Sequence, residues 1–196
     1  MRIITIVLTG LSLSLPSEAR AQRLEAGAFL TYASLEQIGS SDHRAGTSTA
    51  GLGGRVVWHF GPFVDLDGEL AVHPNAGVQG YKLEGFVGAK VGVRTRWFGG
   101  FVKVRPGFLY FSKDPFGVSR PGAIFARASS LDRALDIGGV IEYYTPGRLI
   151  VRFDLGETVV TYRPRVRIFS QFQPPEQVGG FTTRNPQWSI GLGKRF

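Results

Sequence analysis

The sequence has no cysteine among its 196 residues. This absence excludes a disulfide framework, a cysteine-ligated metal and a lipidated amino-terminal cysteine. Long apolar runs are scarce as well: the run from Ile3 to Leu15 is shorter than the roughly 20 residues of a membrane-spanning helix, and no later run is longer. We therefore expect no helical membrane anchor in the mature protein.

The amino-terminal run has the features of an export signal. Arg2 supplies a positive charge, the apolar run follows, and Ala19-Arg20-Ala21 matches a small-residue cleavage pattern. We expect residues 1–21 to be removed as a signal peptide and residues 22–196 to form one domain. The formal net charge is +8. Because an exported chain rarely meets nucleic acid, lipid phosphate is the more natural anionic partner.

Eight segments alternate large apolar residues with small or polar ones, a pattern that places the apolar side chains of a strand on one face. Turn residues divide the sequence into expected strands at 23–35, 49–60, 63–73, 80–97, 100–112, 131–144, 148–160 and 184–196. The short connections Gly61-Pro62, Phe98-Gly99 and Thr145-Pro146-Gly147 alternate with the long connections 36–48, 74–79, 113–130 and 161–183. Such alternation is typical of outer-membrane barrels. The sequence therefore predicts an all-β fold, an eight-stranded antiparallel up-and-down transmembrane β-barrel.

The two faces of these strands differ in chemistry. One face is apolar in every strand, and its aromatic residues cluster near the strand ends. One expected aromatic rim contains Tyr32, Tyr81, Tyr110 and Trp188, and the other contains Trp58, Phe60, Trp97, Tyr143 and Phe196. Two aromatic belts that border an apolar band are typical of a lipid-facing surface.

The opposite face carries eight acidic and eight basic residues. They are Glu25, Arg55, Asp65, Asp67, Glu69, Lys82, Glu84, Lys90, Arg94, Lys103, Arg105, Asp136, Glu142, Arg152, Asp154 and Arg195. A soluble sandwich or a lipocalin would turn its apolar face inward, and alternation alone does not exclude that. The export signal, the two rims and the balanced charges favour an interior position for the charges, because an unpaired charge in a confined space is costly. We expect these side chains to form ion pairs across the lumen.

The chain resembles the small eight-stranded outer-membrane barrels, the family of the OmpA transmembrane domain and OmpX, over about residues 22–196. The most specific element is the terminal pattern of Trp188, Ile190, Leu192 and Phe196, which in that family is read by the outer-membrane insertion machinery. Lys194 departs from this pattern, since an apolar or aromatic residue is usual there. At Pro106 we expect a bulge or local distortion, because proline lacks the backbone N–H of a paired strand.

The resemblance and the inward charges leave three functions open. An eight-stranded barrel is just wide enough for side chains to fill it, which favours a closed lumen over a narrow gated pore for small ions. Some barrels of this size modify lipid A. The grouping that would suit acyl transfer is His43 beside Asp42 and Ser41, with His73 at the same rim. Loop histidines are usually only solvated, so we expect no enzyme activity, cofactor or metal.

The third and fourth long loops are basic. Arg163, Arg165 and Arg167 alternate along the fourth loop, and arginine offers phosphate a bidentate fork. Contact with lipopolysaccharide and ordinary solvation explain these arginines equally well. The expected partners are outer-membrane lipid, lipopolysaccharide and, during assembly, the insertion machinery. We expect a monomer with a structural or surface-interaction role.

Overall fold

A computed structural model describes residues 24–38, 44–74, 80–112, 129–167 and 176–196. At residues 35–38, 44–47, 165–167 and 176–178 it describes the backbone only. The expected signal peptide lies outside these ranges. The strands are β1 (Leu24–Ile38), β2 (Arg44–His59), β3 (Val64–His73), β4 (Lys82–Arg94), β5 (Phe98–Phe111), β6 (Ser130–Tyr144), β7 (Leu149–Tyr162), β8 (Arg165–Arg167), β9 (Glu176–Val178) and β10 (Phe181–Arg195). The described ranges contain no helix that is long and apolar enough to cross a membrane.

Eight of these strands close into one antiparallel barrel in the order β1-β10-β7-β6-β5-β4-β3-β2. The last barrel strand pairs with the first, so that Leu192 lies opposite Ala28. β8 and β9 form a separate two-stranded sheet within the predicted fourth long loop. The predicted fold class, an eight-stranded antiparallel up-and-down barrel, is confirmed.

The pairing register shows how steeply the strands run. We start at Leu24 of β1 and move from each residue to its partner on the next strand. After one circuit of the barrel this path reaches Pro186 of β10, whose neighbour Gln187 pairs with Ala33 of β1. The path has then climbed about ten residues along β1, so the strands are tilted relative to the barrel axis. A barrel of eight tilted strands encloses a space that side chains fill.

Side chains alternate strictly between the two faces because each barrel strand is extended. The apolar face points outward: Leu66 is 42% exposed and Val102 is 65% exposed. At one end of the barrel the rings of Tyr32 and Trp188 stack with centroids 5.6 Å apart. The two predicted rims therefore lie on the outer surface, and their exposed members include Tyr81, Trp58, Phe60, Trp97, Tyr143 and Phe196.

We call the ends of the barrel the short-turn end, where the turns after β2, β4 and β6 lie, and the long-loop end. The predicted short turn at Phe98-Gly99 is wrong. The turn lies at Arg96-Trp97, because Thr95 closes it on both sides: its backbone N–H donates to the Phe98 carbonyl at 2.7 Å, and its Oγ1 accepts from the Phe98 N–H at 3.1 Å. β4 consequently ends at Arg94, earlier than expected.

The first predicted long loop, 36–48, is also wrong over most of its length. β1 and β2 continue to pair as far as Ile38 opposite Arg44, so only residues 39–43 lie between them. The predicted fourth loop is shortened too, since β7 extends to Tyr162 and β10 begins at Phe181. Most of the third loop, residues 113–128, lies outside the described residues.

Pro106 interrupts one ladder without forming a bulge. The pairing of β4 with β5 lapses opposite Val87 and Gly88 and resumes in the same register at Ala89 and Val104. The local distortion is thus present, but no extra residue is inserted. On its other side Pro106 lies in unbroken register with Leu135 of β6.

Candidate functional site: the interior of the barrel

The structure places all sixteen predicted charged residues on the inner face. Fourteen are buried, whereas Arg94 and Arg195, near the short-turn end, are half-buried. A further acid, Asp132, is also buried on this face, near the start of β6, and the sequence analysis did not include it. The signal that would have found it is its alternation with Ala134 and Asp136 along β6.

Arg152 joins two acids from different sides of the lumen. Its Nη2 lies 2.6 Å from Asp67 Oδ2 and 2.7 Å from Asp154 Oδ1. Asp154 also accepts from Arg55 Nη1 at 3.0 Å. These residues come from β7, β3 and β2, so the contacts do not simply follow neighbouring strands. They bring separate parts of the barrel wall together at its centre.

Arg105 holds a second group of acids beside the first. Its Nη1 lies 2.8 Å from Glu69 Oε2 and 3.3 Å from Asp67 Oδ2, and its Nε donates to Asp136 Oδ2 at 2.7 Å. Lys103 Nζ lies 3.0 Å from the same Asp136 oxygen. Charged groups buried in a narrow space are stable only when each is paired in this way.

Towards the short-turn end, Asp65 contacts three basic side chains. Its Oδ1 lies 2.8 Å from His59 Nδ1, its Oδ2 lies 3.3 Å from Lys90 Nζ, and it also pairs with Arg94. Lys90 forms a second ion pair with Glu142 of β6. This layer thus joins acids from β3 and β6 through one lysine.

Towards the long-loop end, Glu84 is the centre of a mixed group. Lys82 Nζ and His73 Nε2 lie 2.8 Å and 3.0 Å from its oxygens. Gln187 Nε2 donates to Glu84 Oε1 at 3.2 Å and to Thr31 Oγ1 at 3.1 Å. Sequence reasoning did not single out the two neutral residues, because it searched this face for charge only.

Two of these contacts span the full width of the lumen. In the cyclic strand order, β3 and β7 lie opposite each other, and so do β4 and β10. The Arg152–Asp67 contact joins the first pair of strands, and the Gln187–Glu84 hydrogen bond joins the second. The barrel is therefore bridged across its diameter at two heights.

Aromatic side chains occupy much of the remaining inner face. Phe101 has Lys90 Nζ 4.4 Å and Arg94 Cζ 4.7 Å from its ring centroid, and Phe29 has Arg55 Cζ at 5.2 Å. Such contacts stabilise a cation that is removed from water. Near the long-loop end a buried apolar cluster consists of Phe86, Leu109, Phe111, Ala134, Val160 and Tyr162, with Phe181 packed against it.

The structure does not assemble the residues considered for acyl transfer. His73 was expected at the rim, but it is fully buried on the inner face, between Thr49 Oγ1 at 3.1 Å and Glu84. His43, Asp42 and Ser41 lie outside the described residues. Within the described ranges, no group of three or more histidine, cysteine or acidic residues is arranged to hold a metal ion.

The remaining predicted residues lie on the outside of the barrel. Trp188, Ile190, Leu192 and Phe196 are exposed on the outer face of the chain's last segment. Arg163 is exposed just beyond β7, whereas the side chains of Arg165 and Arg167 lie outside the described residues. Recognition of the terminal pattern by the insertion machinery and lipopolysaccharide contact stay predictions.

No protein-family model matches this chain, and no curated protein matches it significantly. Several solved structures do resemble it. Neisserial surface protein A superimposes with a TM-score of 0.52 at 11% identity, covering 88% of this chain and 97% of that one. Ail of Yersinia pestis, solved with the heparin analogue sucrose octasulfate, gives 0.47 at 14% identity, covering 89% and 99%. The N-terminal β-barrel domain of Pseudomonas aeruginosa OprF gives 0.48 at 10% identity, covering 87% and 97%. The strand order and the likeness to Neisserial surface protein A show that this chain has the fold of the small eight-stranded outer-membrane β-barrels.

Proposed function

We propose that the protein is a non-enzymatic barrel of the bacterial outer membrane, with a lumen closed by its own side chains and a structural or surface-interaction role. The observation that carries this proposal is the pair of contacts across the diameter, Arg152–Asp67 and Gln187–Glu84. Because they lie at different heights, a hydrated ion would have to break both to pass.

The outer surface supports the membrane location. Exposed apolar side chains cover the outward face of the barrel strands, and an apolar patch of this extent is unfavourable in water. Aromatic residues at both borders suit the two membrane–water interfaces. We further propose that the outward-facing pattern ending at Phe196 serves recognition by the insertion machinery. Cell fractionation of the full-length protein should recover it in the outer membrane.

Planar-bilayer recording of the purified protein tests the closed lumen. The parent should show no steady conductance. Asp67→Ala and Gln187→Ala should each stay silent, because one bridge remains, whereas the double variant should conduct. The control is Glu157→Ala with Arg184→Ala, which changes exposed residues of β7 and β10, two of the four bridged strands, and should stay silent.

Steady single-channel conductance of the parent would refute the closed lumen and favour the alternative, a narrow pore. A silent double variant that folds normally would show that the two bridges are not what closes the barrel. Mass spectrometry of lipid A from cells with and without the gene should detect no difference. An altered acyl pattern would instead favour a lipid-modifying enzyme.

A specific observation also favours lipopolysaccharide as a partner. Arg133 and Arg163 line one cavity of about 400 Å³ on the barrel wall at the long-loop end, together with Thr161 and Thr182. Both arginines are exposed, and each offers phosphate a bidentate fork. We propose that this cavity, rather than the β8 arginines alone, contacts lipopolysaccharide phosphates.

Co-purification of lipopolysaccharide tests this surface. Arg133→Gln with Arg163→Gln should reduce the retained lipopolysaccharide, and the reduction should be largest at low salt, because exposed charges are screened over a Debye length of roughly 8 Å at physiological ionic strength. Arg96→Gln, at the opposite end of the barrel, is the control. Equal retention by the double variant and the parent would mean that these arginines are only solvated.

A further inference from the structure

The short-turn end contains a cavity that the closed lumen does not explain. It has a volume of about 400 Å³ and lies between the β4–β5 turn, the β6–β7 turn and the end of β10. Its basic lining residues are Arg94, Arg96, Arg148 and Arg195. No acidic side chain is among the described residues that line it. Because Arg94 is paired with Asp65, the positive charge of the cavity comes mainly from the other three guanidinium groups.

Arg195 forms no ion pair with an acidic side chain in the part of the chain that the structure describes. Its strand partner is Glu25, but the Glu25 carboxylate lies near His59 instead, 3.8 Å from Nε2. The Arg195 guanidinium lies 5.0 Å from the ring centroid of Tyr144. Its Nε and Nη2 are buried and have no hydrogen-bond partner within the described part of the chain. Buried donors without a partner are costly, so an acceptor that enters the cavity would be stabilised by these two groups.

Arg148 reaches the same cavity from a strained backbone. Its φ of 62° lies in the left-handed region, which residues other than glycine adopt rarely. The turn is nevertheless well held, because the Arg148 carbonyl accepts from the Arg195 N–H at 3.0 Å and Thr145 N–H donates to the Leu149 carbonyl at 2.9 Å. Strain of this kind persists where the surrounding structure imposes it, commonly at a ligand site. Arg148 thus lines the same cavity as Arg195.

The edge of the cavity is apolar and faces outward. Leu149 is 43% exposed and Phe196 is 47% exposed on the outer face of the barrel, and Arg96 lies over the ring of Trp97 at 5.1 Å. A free anion would make no favourable contact with this apolar border. A phospholipid would occupy both parts, with its phosphate among the arginines and the beginning of its acyl chains against Leu149 and Phe196.

We propose that this cavity binds the phosphate of an anionic phospholipid from the membrane leaflet at the short-turn end. The inference rests on the proposed membrane location. Arg96, Arg148 and Arg195 donate to the phosphate oxygens, while Arg94, already paired with Asp65 and His59, closes the inner side of the site.

Native mass spectrometry in a neutral detergent tests the site. The delipidated protein is mixed with phosphatidylglycerol and phosphatidylcholine that have the same acyl chains. The parent should retain one molecule of phosphatidylglycerol in preference to phosphatidylcholine. An arginine near an anionic lipid contributes roughly fivefold, so Arg96→Gln with Arg148→Asn should weaken this retention about 25-fold. Asparagine is used because it tolerates the left-handed backbone. Arg195→Gln, which leaves both turns unchanged, should weaken retention in the same direction.

The control is Arg184→Gln, which removes an exposed charge at the opposite end, outside the cavity of Arg133 and Arg163, and should retain phosphatidylglycerol like the parent. Equal retention of the two lipids by the parent, or unchanged retention by the folded double variant and Arg195→Gln, overturns the proposal. Displacement of the lipid by glycerol 3-phosphate at equal concentration would overturn the proposal that the bound phosphate belongs to a lipid. It would indicate a site for a soluble phosphate instead. A chain that inserts into vesicles but shows no lipid preference refutes only this site, whereas failure to insert refutes the membrane location.

Discussion

Replacing Arg105 with methionine removes a fully buried guanidinium and leaves a side chain of similar length. Asp136 would keep its ion pair with Lys103 at 3.0 Å, and Asp67 would keep Arg152 at 2.6 Å. Glu69 would be left without a cation, since Arg105 is its one ion-pair partner among the described residues. Leaving one member of a buried pair unpaired costs about 3–5 kcal/mol. We expect the free energy of unfolding to fall by that amount.

The double variant Arg105→Met with Glu69→Gln tests the reason for this loss. Because the stranded charge becomes a neutral amide, about 1–3 kcal/mol should be recovered. The assay is urea-dependent reversible folding into phospholipid vesicles, followed by the fluorescence of the three tryptophans, all of which are exposed on the outer surface. Arg184→Met, an exposed arginine, is the control and should cost less than about 0.5 kcal/mol. A loss below about 1 kcal/mol for Arg105→Met, or a further loss on adding Glu69→Gln, would refute the reasoning.

Two further predictions concern the barrel wall and use the same folding assay. Val87→Arg places a charge on the outer face near the middle of β4 and should cost about 2–4 kcal/mol, whereas Thr182→Arg near the rim should cost about 0–1 kcal/mol; equal costs would contradict the position assigned to β4 in the membrane. Gly88→Ala should cost about 1–3 kcal/mol, because its Cβ would lie 2.6 Å from Arg105 Cα, whereas Gly100→Ala, with nothing within 4 Å of its Cβ, should be nearly neutral. A tolerated Gly88→Ala would mean that β4 and β5 are less closely packed than the structure indicates.

The barrel could be predicted from the sequence because alternation has a period of two and is strict in strands such as Val64–His73. An error of one residue in any strand would have turned charges outward, so the faces were strongly constrained. The position of the turn after β4 was not constrained in this way. The sequence pattern favoured a turn at Phe98-Gly99, but the side chain of Thr95 fixes the turn two residues earlier, at Arg96-Trp97. Gly99 instead lies within β5 on the inner face, where an added Cβ would meet the ring of Phe101 at 2.6 Å.

The contacts inside the barrel could be predicted only in part. Register tells which residues point inward, but not which of several acids a given arginine reaches. Arg152, for example, contacts Asp67 across the lumen as well as Asp154 on its own strand. The cavity at the short-turn end could not be foreseen either, because it depends on the left-handed backbone of Arg148 and on the direction of the Arg195 side chain. Neither property follows from alternation.

The inner glycines explain how so narrow a barrel holds large side chains. A Cβ on Gly53 would overlap the ring of Phe29, and a Cβ on Gly191 would lie 2.6 Å from Arg55 Nη2. The missing side chains thus leave the space in which Phe29 and Arg55 meet, with the guanidinium carbon 5.2 Å from the ring centroid. Arg55 from this position reaches Asp154 on the far side of β10. The ion pairs of the lumen therefore depend on glycines in the wall, and steric fit and charge pairing fill the interior together.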